Sequence, residues 1–128
     1  MMIKLDFTKG SGLLPAIAQD YRTGKVLMLA YINEDSWKKS LETGEVHYWS
    51  RSRSELWHKG GTSGNVQKIK EIYADCDNDT VLFVVDQIGQ AACHTGRESC
   101  FYQKIDNKGE VTIVGDKIFD PEKVYGKK

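Results

Sequence analysis

Along most of this chain, apolar positions either alternate with polar ones or run together in short blocks, a pattern that favours strands over helices. "GLLPAIAQD", "YRTGK" and "VLMLAYI" read as two strands joined by a tight turn, with Gly24 able to take the backbone angle that such a turn can need. Pro15 has no N–H to donate, so the first of these strands is expected to start at a sheet edge. The period then changes. Asn33 can cap a helix running to about Ser40, with Glu34 and Asp35 in its positively polarised first turn and Gly44 just past its end. Trp37 and Leu41 lie four apart on that helix and share the face expected to be buried.

"EVHYWSRSRSELWHKGGTSGNV" mixes aromatic, basic and hydroxyl residues and ends in a glycine-rich turn at Gly60, Gly61 and Gly64, which is not the composition of an ordinary linker. From Val66 to Tyr73 the alternation returns as an imperfect strand pattern, and "TVLFVVDQI" reads as a more fully buried strand. "SCFYQKI" and "EVTIV" form a further pair around the turn "DNKG", and the last residues, ending in "GKK", read as frayed. One helix with about seven strands, in the order β-β-α-β-β-β-β-β, predicts an α+β fold with a mainly antiparallel sheet.

Length and charge narrow the function classes. A chain of 128 residues suits one domain, 1–128, without internal repeats. Its 18 basic and 18 acidic side chains create no global field to attract nucleic acid or an anionic membrane, so an anionic ligand must meet a local patch. The longest apolar run, Val26 to Ile32, is too short to cross a bilayer, and charge arrives too early for a secretory signal; a cytoplasmic location is expected. Three cysteines cannot all pair within one chain, which leaves metal binding or plain burial as their roles.

All three thiols, Cys76, Cys93 and Cys100, fall between Asp75 and Gln103. Three thiolates match the number of protein ligands at a catalytic zinc that keeps its fourth position open, although their spacings are not the short pairs of a zinc ribbon. They suit equally a set of small buried hydrophobes or, with His94, a closed structural site. Asp75, Asp77 and Asp79 alternate, so in an extended segment they project to one face and Cys76 to the other; Mg²⁺ or Ca²⁺ suits the oxygens and zinc the sulfur. An acidic turn in water accounts for the aspartates as well, and the spacing is not that of an EF-hand. Arg51 and Arg53, with Lys59, Thr62, Ser63 and amides freed by glycine, supply the forks, hydroxyls and N–H groups that phosphate oxygens require, or else make a solvated basic turn. Tyr48, Trp49 and Trp57 can stack a flat base or fill the core.

Taken together, "LMLAYIN", "HYWSRSRSELWHKGGTSGNVQ", "DCDNDT" and "AACHTGRESCFY" resemble the phosphoribosyl-AMP cyclohydrolases of histidine biosynthesis, over a core of about Leu14 to Tyr102. Gly61 departs from the pattern, where an acidic residue is expected in "KGETSG". Because the chain stops soon after the match, the resemblance implies the single-function form, without a fused pyrophosphohydrolase. It implies hydrolysis of the N1–C6 bond in the adenine ring of phosphoribosyl-AMP, the third step of the pathway. It implies an intertwined homodimer with zinc held by Cys76 of one chain and Cys93 and Cys100 of the other, and Mg²⁺ at Asp75, Asp77 and Asp79. On that reading His94, beside a zinc ligand, is the candidate proton shuttle, with His58 and His47 as weaker ones. Arg51, Arg53, Lys59, Thr62 and Ser63 become a clamp for the two phosphates of the substrate. Two rivals are a non-catalytic zinc-stabilised binding module and a purine deaminase; the H-x-E and P-C-x-x-C signature of the latter is absent.

Overall fold

A computed structural model describes residues 1–121; the expected fraying of the "GKK" end lies outside them. Two strands, β1 (Leu14–Asp20) and β2 (Val26–Ile32), lead into helix α1 (Glu34–Thr43), followed by β3 (His47–Ser50), β4 (Glu55–His58), β5 (Gln67–Ala74), β6 (Val81–Gln87), β7 (Gln103–Ile105) and β8 (Val111–Ile113). Six of them form one sheet in the order β4-β3-β2-β1-β6-β5, and β7 and β8 pair separately. The α+β class and the mainly antiparallel sheet are as expected; β1 against β6 is a parallel pair within it.

Pro15 is not at a sheet edge. β1 lies between β2 and β6, but its pairing with β6 starts at Ala16, so the proline, like Leu14 before it, precedes that ladder and its missing donor costs no bond to β6. The sheet curls until its ends approach. Just before β3, Val46 N–H donates to the Gln67 carbonyl (3.0 Å) and Ile69 N–H to the Gly44 carbonyl (2.8 Å), joining that segment to β5.

Helix α1 is capped as its sequence dictates: Ser36 N–H donates to the Asn33 side chain at 2.8 Å, Asn33 N–H to the Ser36 hydroxyl at 2.9 Å, and Gly44 closes the last turn in the left-handed region. Its inward face differs from expectation. Ser36, Trp37 and Ser40 are buried, whereas Leu41 is half exposed. Polar chemistry selects that face: the Ser40 hydroxyl accepts from His47 N–H (2.8 Å) and donates to backbone carbonyls, fastening the helix to β3. Trp37 then meets Phe83 of β6 with ring centroids 6.1 Å apart. Inside the curl, Leu14, Ala16 and Ala18 of β1 face Val81, Phe83 and Val85 of β6, and Leu27, Ile32, Val46 and Tyr48 complete the core. Each large apolar side chain buried there contributes about 1.5–3 kcal/mol.

Candidate active site and metal centre

The three aspartates stand on the connection from β5 to β6, and of the two conformations the sequence allowed, an extended segment or an acidic turn, that connection is the turn. Asp75 N–H donates to the Thr80 carbonyl (3.0 Å) and Asn78 N–H to the Asp75 carbonyl (3.1 Å), with Asn78 at positive φ. The fold thereby gathers carboxylates that alternation alone would have lined up along an edge: one oxygen from each of Asp75, Asp77 and Asp79 lies within 4.8 Å of the others. Lys9, from the other end of the chain, reaches this cluster, its Nζ 3.1 Å from Asp79 and 3.4 Å from Asp77. Desolvation pushes the Asp75 carboxyl up, yet N–H donation from Asp79 and Thr80 outweighs it and holds the group below the usual carboxylate range. At Asp79 the bond from Lys9 acts downward, but Asp77 and Asp75 overcome it and leave the carboxyl raised. An oxygen donor set of this kind fits a hard cation such as Mg²⁺, for which Lys9 is the resident competitor.

The thiols divide in two. Cys93 is buried, and Cys100 is exposed as a residue while its thiol is partly withdrawn from water beside Cys93; that desolvation first, then the charge and hydrogen bonding of Cys93, push the Cys100 thiol up to about 12. Both are fixed by backbone. Cys100 N–H donates to the Leu27 carbonyl of β2 (2.7 Å), Cys93 N–H to the Arg97 carbonyl (3.1 Å), and the Thr95 hydroxyl donates to Cys93 Sγ at 3.0 Å. Cys76, in the acidic turn, is exposed. Among the described residues the aspartate triplet is the cluster of three or more metal-ligating side chains, so within one chain neither Cys76 nor His94 joins Cys93 and Cys100. The closed Cys₃His site is therefore not formed by this chain alone. Two adjacent thiols fit a soft ion such as zinc and leave ligands to be supplied from elsewhere.

The basic segment is split by strand β4. Arg51 and Arg53 occupy the exposed tip of the β3–β4 hairpin, with Arg51 stacked over Tyr31 at 4.0 Å and Arg53 3.9 Å from Glu55. Thr62 and Ser63 follow the far end of β4 on the glycine-rich loop. Strand β4, four residues and about 13 Å long, lies between the two groups. Lys59 does not point outward with them. It is 5 % exposed, donates to the Ala92 carbonyl, and carries its Nζ 5.4 Å from the centre of the Trp57 ring. Burial pulls its pKa down, against the opposing pull of Cys100 and Cys93. Tyr48 is a core residue, tilted against Trp57 (5.4 Å) and donating to Gln67 Oε1 at 2.7 Å, while Trp49 and Trp57 remain half-buried.

His94 is exposed between Cys93 and Thr95. The other two histidines stack on each other, 4.4 Å apart and 9° from parallel, on paired positions of β3 and β4. Glu45 holds both: its carbonyl lies 2.9 Å from His47 Nδ1 and its carboxylate 2.7 Å from His58 Nε2, so those nitrogens carry the protons. Burial lowers the His47 pKa, in keeping with packing rather than proton transfer. Sequence reasoning missed three features, namely the inward turn of Lys59, the reach of Lys9, and the buried relay from Tyr48 through Gln67 to Gln87 (2.9 Å) and on to the Asn65 carbonyl (2.8 Å). The relay ties the glycine-rich loop to the core. Two polar glutamines inside strand patterns were its one visible sign.

Comparison with known proteins supplies a family. A model described as "Phosphoribosyl-AMP cyclohydrolase" matches residues 28–102. Among curated relatives, the phosphoribosyl-AMP cyclohydrolase of Desulfatibacillum aliphaticivorans is 62 % identical over 98 % of this chain and all of its own length. That of Desulfotalea psychrophila is 60 % identical over 99 % of the chain and all of its own length. That of Haloarcula marismortui is 58 % identical over 88 % of the chain and 89 % of its own length.

Proposed function

The chain belongs to the phosphoribosyl-AMP cyclohydrolase family, enzymes that are hydrolases of histidine biosynthesis, and from that premise we propose that it opens the adenine ring of phosphoribosyl-AMP in a zinc-dependent hydrolysis of the N1–C6 bond, the third step of that pathway. The observation that carries the metal reading is the Cys93–Cys100 pair, two fixed, adjacent thiols inside the matched range. As a pair they are an incomplete zinc site. Cys76 is exposed and apart from them, which supports a homodimer in which Cys76 of the partner chain supplies the third ligand. Exposed apolar residues on β7 and β8, Ile105, Val111 and Ile113, support the same assembly.

Zinc, when bound, supplies a water whose pKa is brought near neutrality. The chain's own residues do the rest. Next to Cys93, exposed His94 takes the proton as water adds to C6 and returns it to N1 as the ring opens. Arg51 and Arg53 at the hairpin tip hold one phosphate; Thr62, Ser63 and the loop amides hold the other, with the base between them beside half-buried Trp49 and Trp57. Asp75, Asp77 and Asp79 would hold Mg²⁺, a hard cation whose charge suits phosphate oxygens. No helix among the described residues is long and apolar enough to cross a membrane, and we place the enzyme in the cytoplasm.

The test is turnover of purified protein on phosphoribosyl-AMP, followed optically as the adenine ring opens, before and after chelation and with zinc or magnesium restored. Activity lost on chelation and recovered with zinc is the expected result. Folded, metal-replete protein without turnover would sink the reading. Replacing Arg51 and Arg53 by alanine should raise KM; unchanged KM and kcat would remove them from the clamp.

A further inference from the structure

Among the described residues, Lys59 is the one lysine, arginine, aspartate or glutamate that is buried. An ammonium taken out of water is costly unless its charge and its three donors are met. One donor is met by the Ala92 carbonyl, a neutral group, and the Trp57 face offers a weak further attraction. Among the described residues, no carboxylate forms an ion pair with it. The ionisable groups near it are Cys100 and Cys93, which would bear negative charge as metal-bound thiolates. The same carbonyl is part of the peptide that leads directly into Cys93. That peptide is held on its other side by Cys93 N–H to the Arg97 carbonyl (3.1 Å), and the peptide before it by Ala92 N–H to the Glu98 carbonyl (3.0 Å).

We propose that Lys59 is a positioning residue of the metal centre, holding the Ala92–Cys93 peptide through its ammonium and supplying the counter-charge to the Cys93 and Cys100 thiolates. The inference rests on the zinc reading above. Three thiolates around a dication would leave one net negative charge, which a single nearby ammonium would offset. Lys59 thus leaves the phosphate clamp and joins the thiol side of the site. Its neighbours on the loop are arranged for this: Gly60, at φ +84°, brings its Cα where any Cβ would meet Val66 N at 2.2 Å, so the chain can turn sharply as the lysine goes inward.

Zinc affinity of the intact dimer, measured by competition with a chromophoric chelator, tests the proposal in Lys59→Arg, Lys59→Gln and Lys59→Met. The glutamine keeps a donor for Ala92 and loses the charge; the methionine loses both. Folded Lys59→Gln and Lys59→Met should bind zinc about 10- to 100-fold more weakly, with Lys59→Arg nearest the parent protein. Their Co²⁺ derivatives should show altered thiolate-to-metal charge-transfer bands, a signature that a general loss of stability does not move. Undiminished zinc affinity in folded Lys59→Gln and Lys59→Met overturns the proposal. A parent protein that binds no zinc at all refutes the metal reading itself and takes this inference with it. Should the variants not fold, the parent protein decides: stripping zinc with a chelator should raise the reactivity of Lys59 toward a small amine reagent several-fold relative to the surface lysines, and an unchanged ratio overturns the proposal.

Discussion

Two candidate ligand clusters in this molecule, carboxylates in one and thiols in the other, each lie near a lysine, and the two lysines live in different solvents. Lys9 pairs with Asp77 and Asp79 across an exposed turn, with its own side chain 47 % accessible. Lys59 faces Cys93 and Cys100 from inside the fold, 5 % exposed. Water and salt screen the first set, so the Lys9 pairing adds little to stability and yields readily to a stronger cation. Lys59 itself is shielded from solvent, so water does not make good the loss of its charge. The same residue type therefore acts as an exchangeable occupant at one site and as a fixed component at the other.

The largest expected effect on this contrast comes from Cys93→Ser. Turnover should fall to background and one zinc per site should be lost, measurable by metal analysis alongside the optical assay, while circular dichroism remains that of a folded protein. Next is Gly60→Ala, which breaks the buried side without touching a charge. Its Cβ would overlap backbone at Asn65 and Val66, so the melt should shift by about 1–3 kcal/mol of lost stability and zinc affinity should fall with it. A variant as stable as the parent would show that the loop is free to move.

Third is acidification. Burial lowers the His47 pKa, so the folded protein binds fewer protons there than the unfolded chain does. Its contribution is fully present above the ordinary histidine value, near 6.5, and is lost as pH falls through 6.5 toward the lower folded value. Melts from pH 7.5 to pH 5 should decline more steeply for the parent than for His47→Gln; parallel slopes would assign the acid sensitivity elsewhere. The smallest effect is that of Lys9→Met. Its melting temperature should match the parent's within error, while magnesium, titrated calorimetrically, should bind several-fold more tightly with its competitor gone. A stability loss as large as that of Lys59→Gln would erase the distinction between the two lysines.

Much of the fold was legible because it depends on local chemistry. The Asn33 cap, the Gly44 stop, the β1–β2 pair and the buried β6 follow from residue type and period within a few positions. The helix face did not, since Leu41 loses to Ser36 and Ser40 through hydrogen bonds to a strand that period cannot see. Pro15 misled for a similar reason: the strand is central, and only the starting register of its parallel partner spares the missing donor. The β3–β4 hairpin was hidden under the mixed composition of the basic segment, and the pairing of β7 is shorter than "SCFYQKI" suggests because Ser99 and Cys100 are fastened to β2 instead.

By itself the sequence determined the family, through several long motifs in order, and the α+β class, through period and turn chemistry; both are properties of residues near one another in the chain. The tertiary structure decided how charges distant in sequence meet. It folded the aspartates into a turn that Lys9 reaches from 68 and 70 positions away, turned Lys59 inward onto a carbonyl 33 positions on, and set Cys93 against Cys100 while leaving Cys76 apart. Such meetings depend on register and burial, and burial sets whether a charge is screened by water or must be balanced by its neighbours.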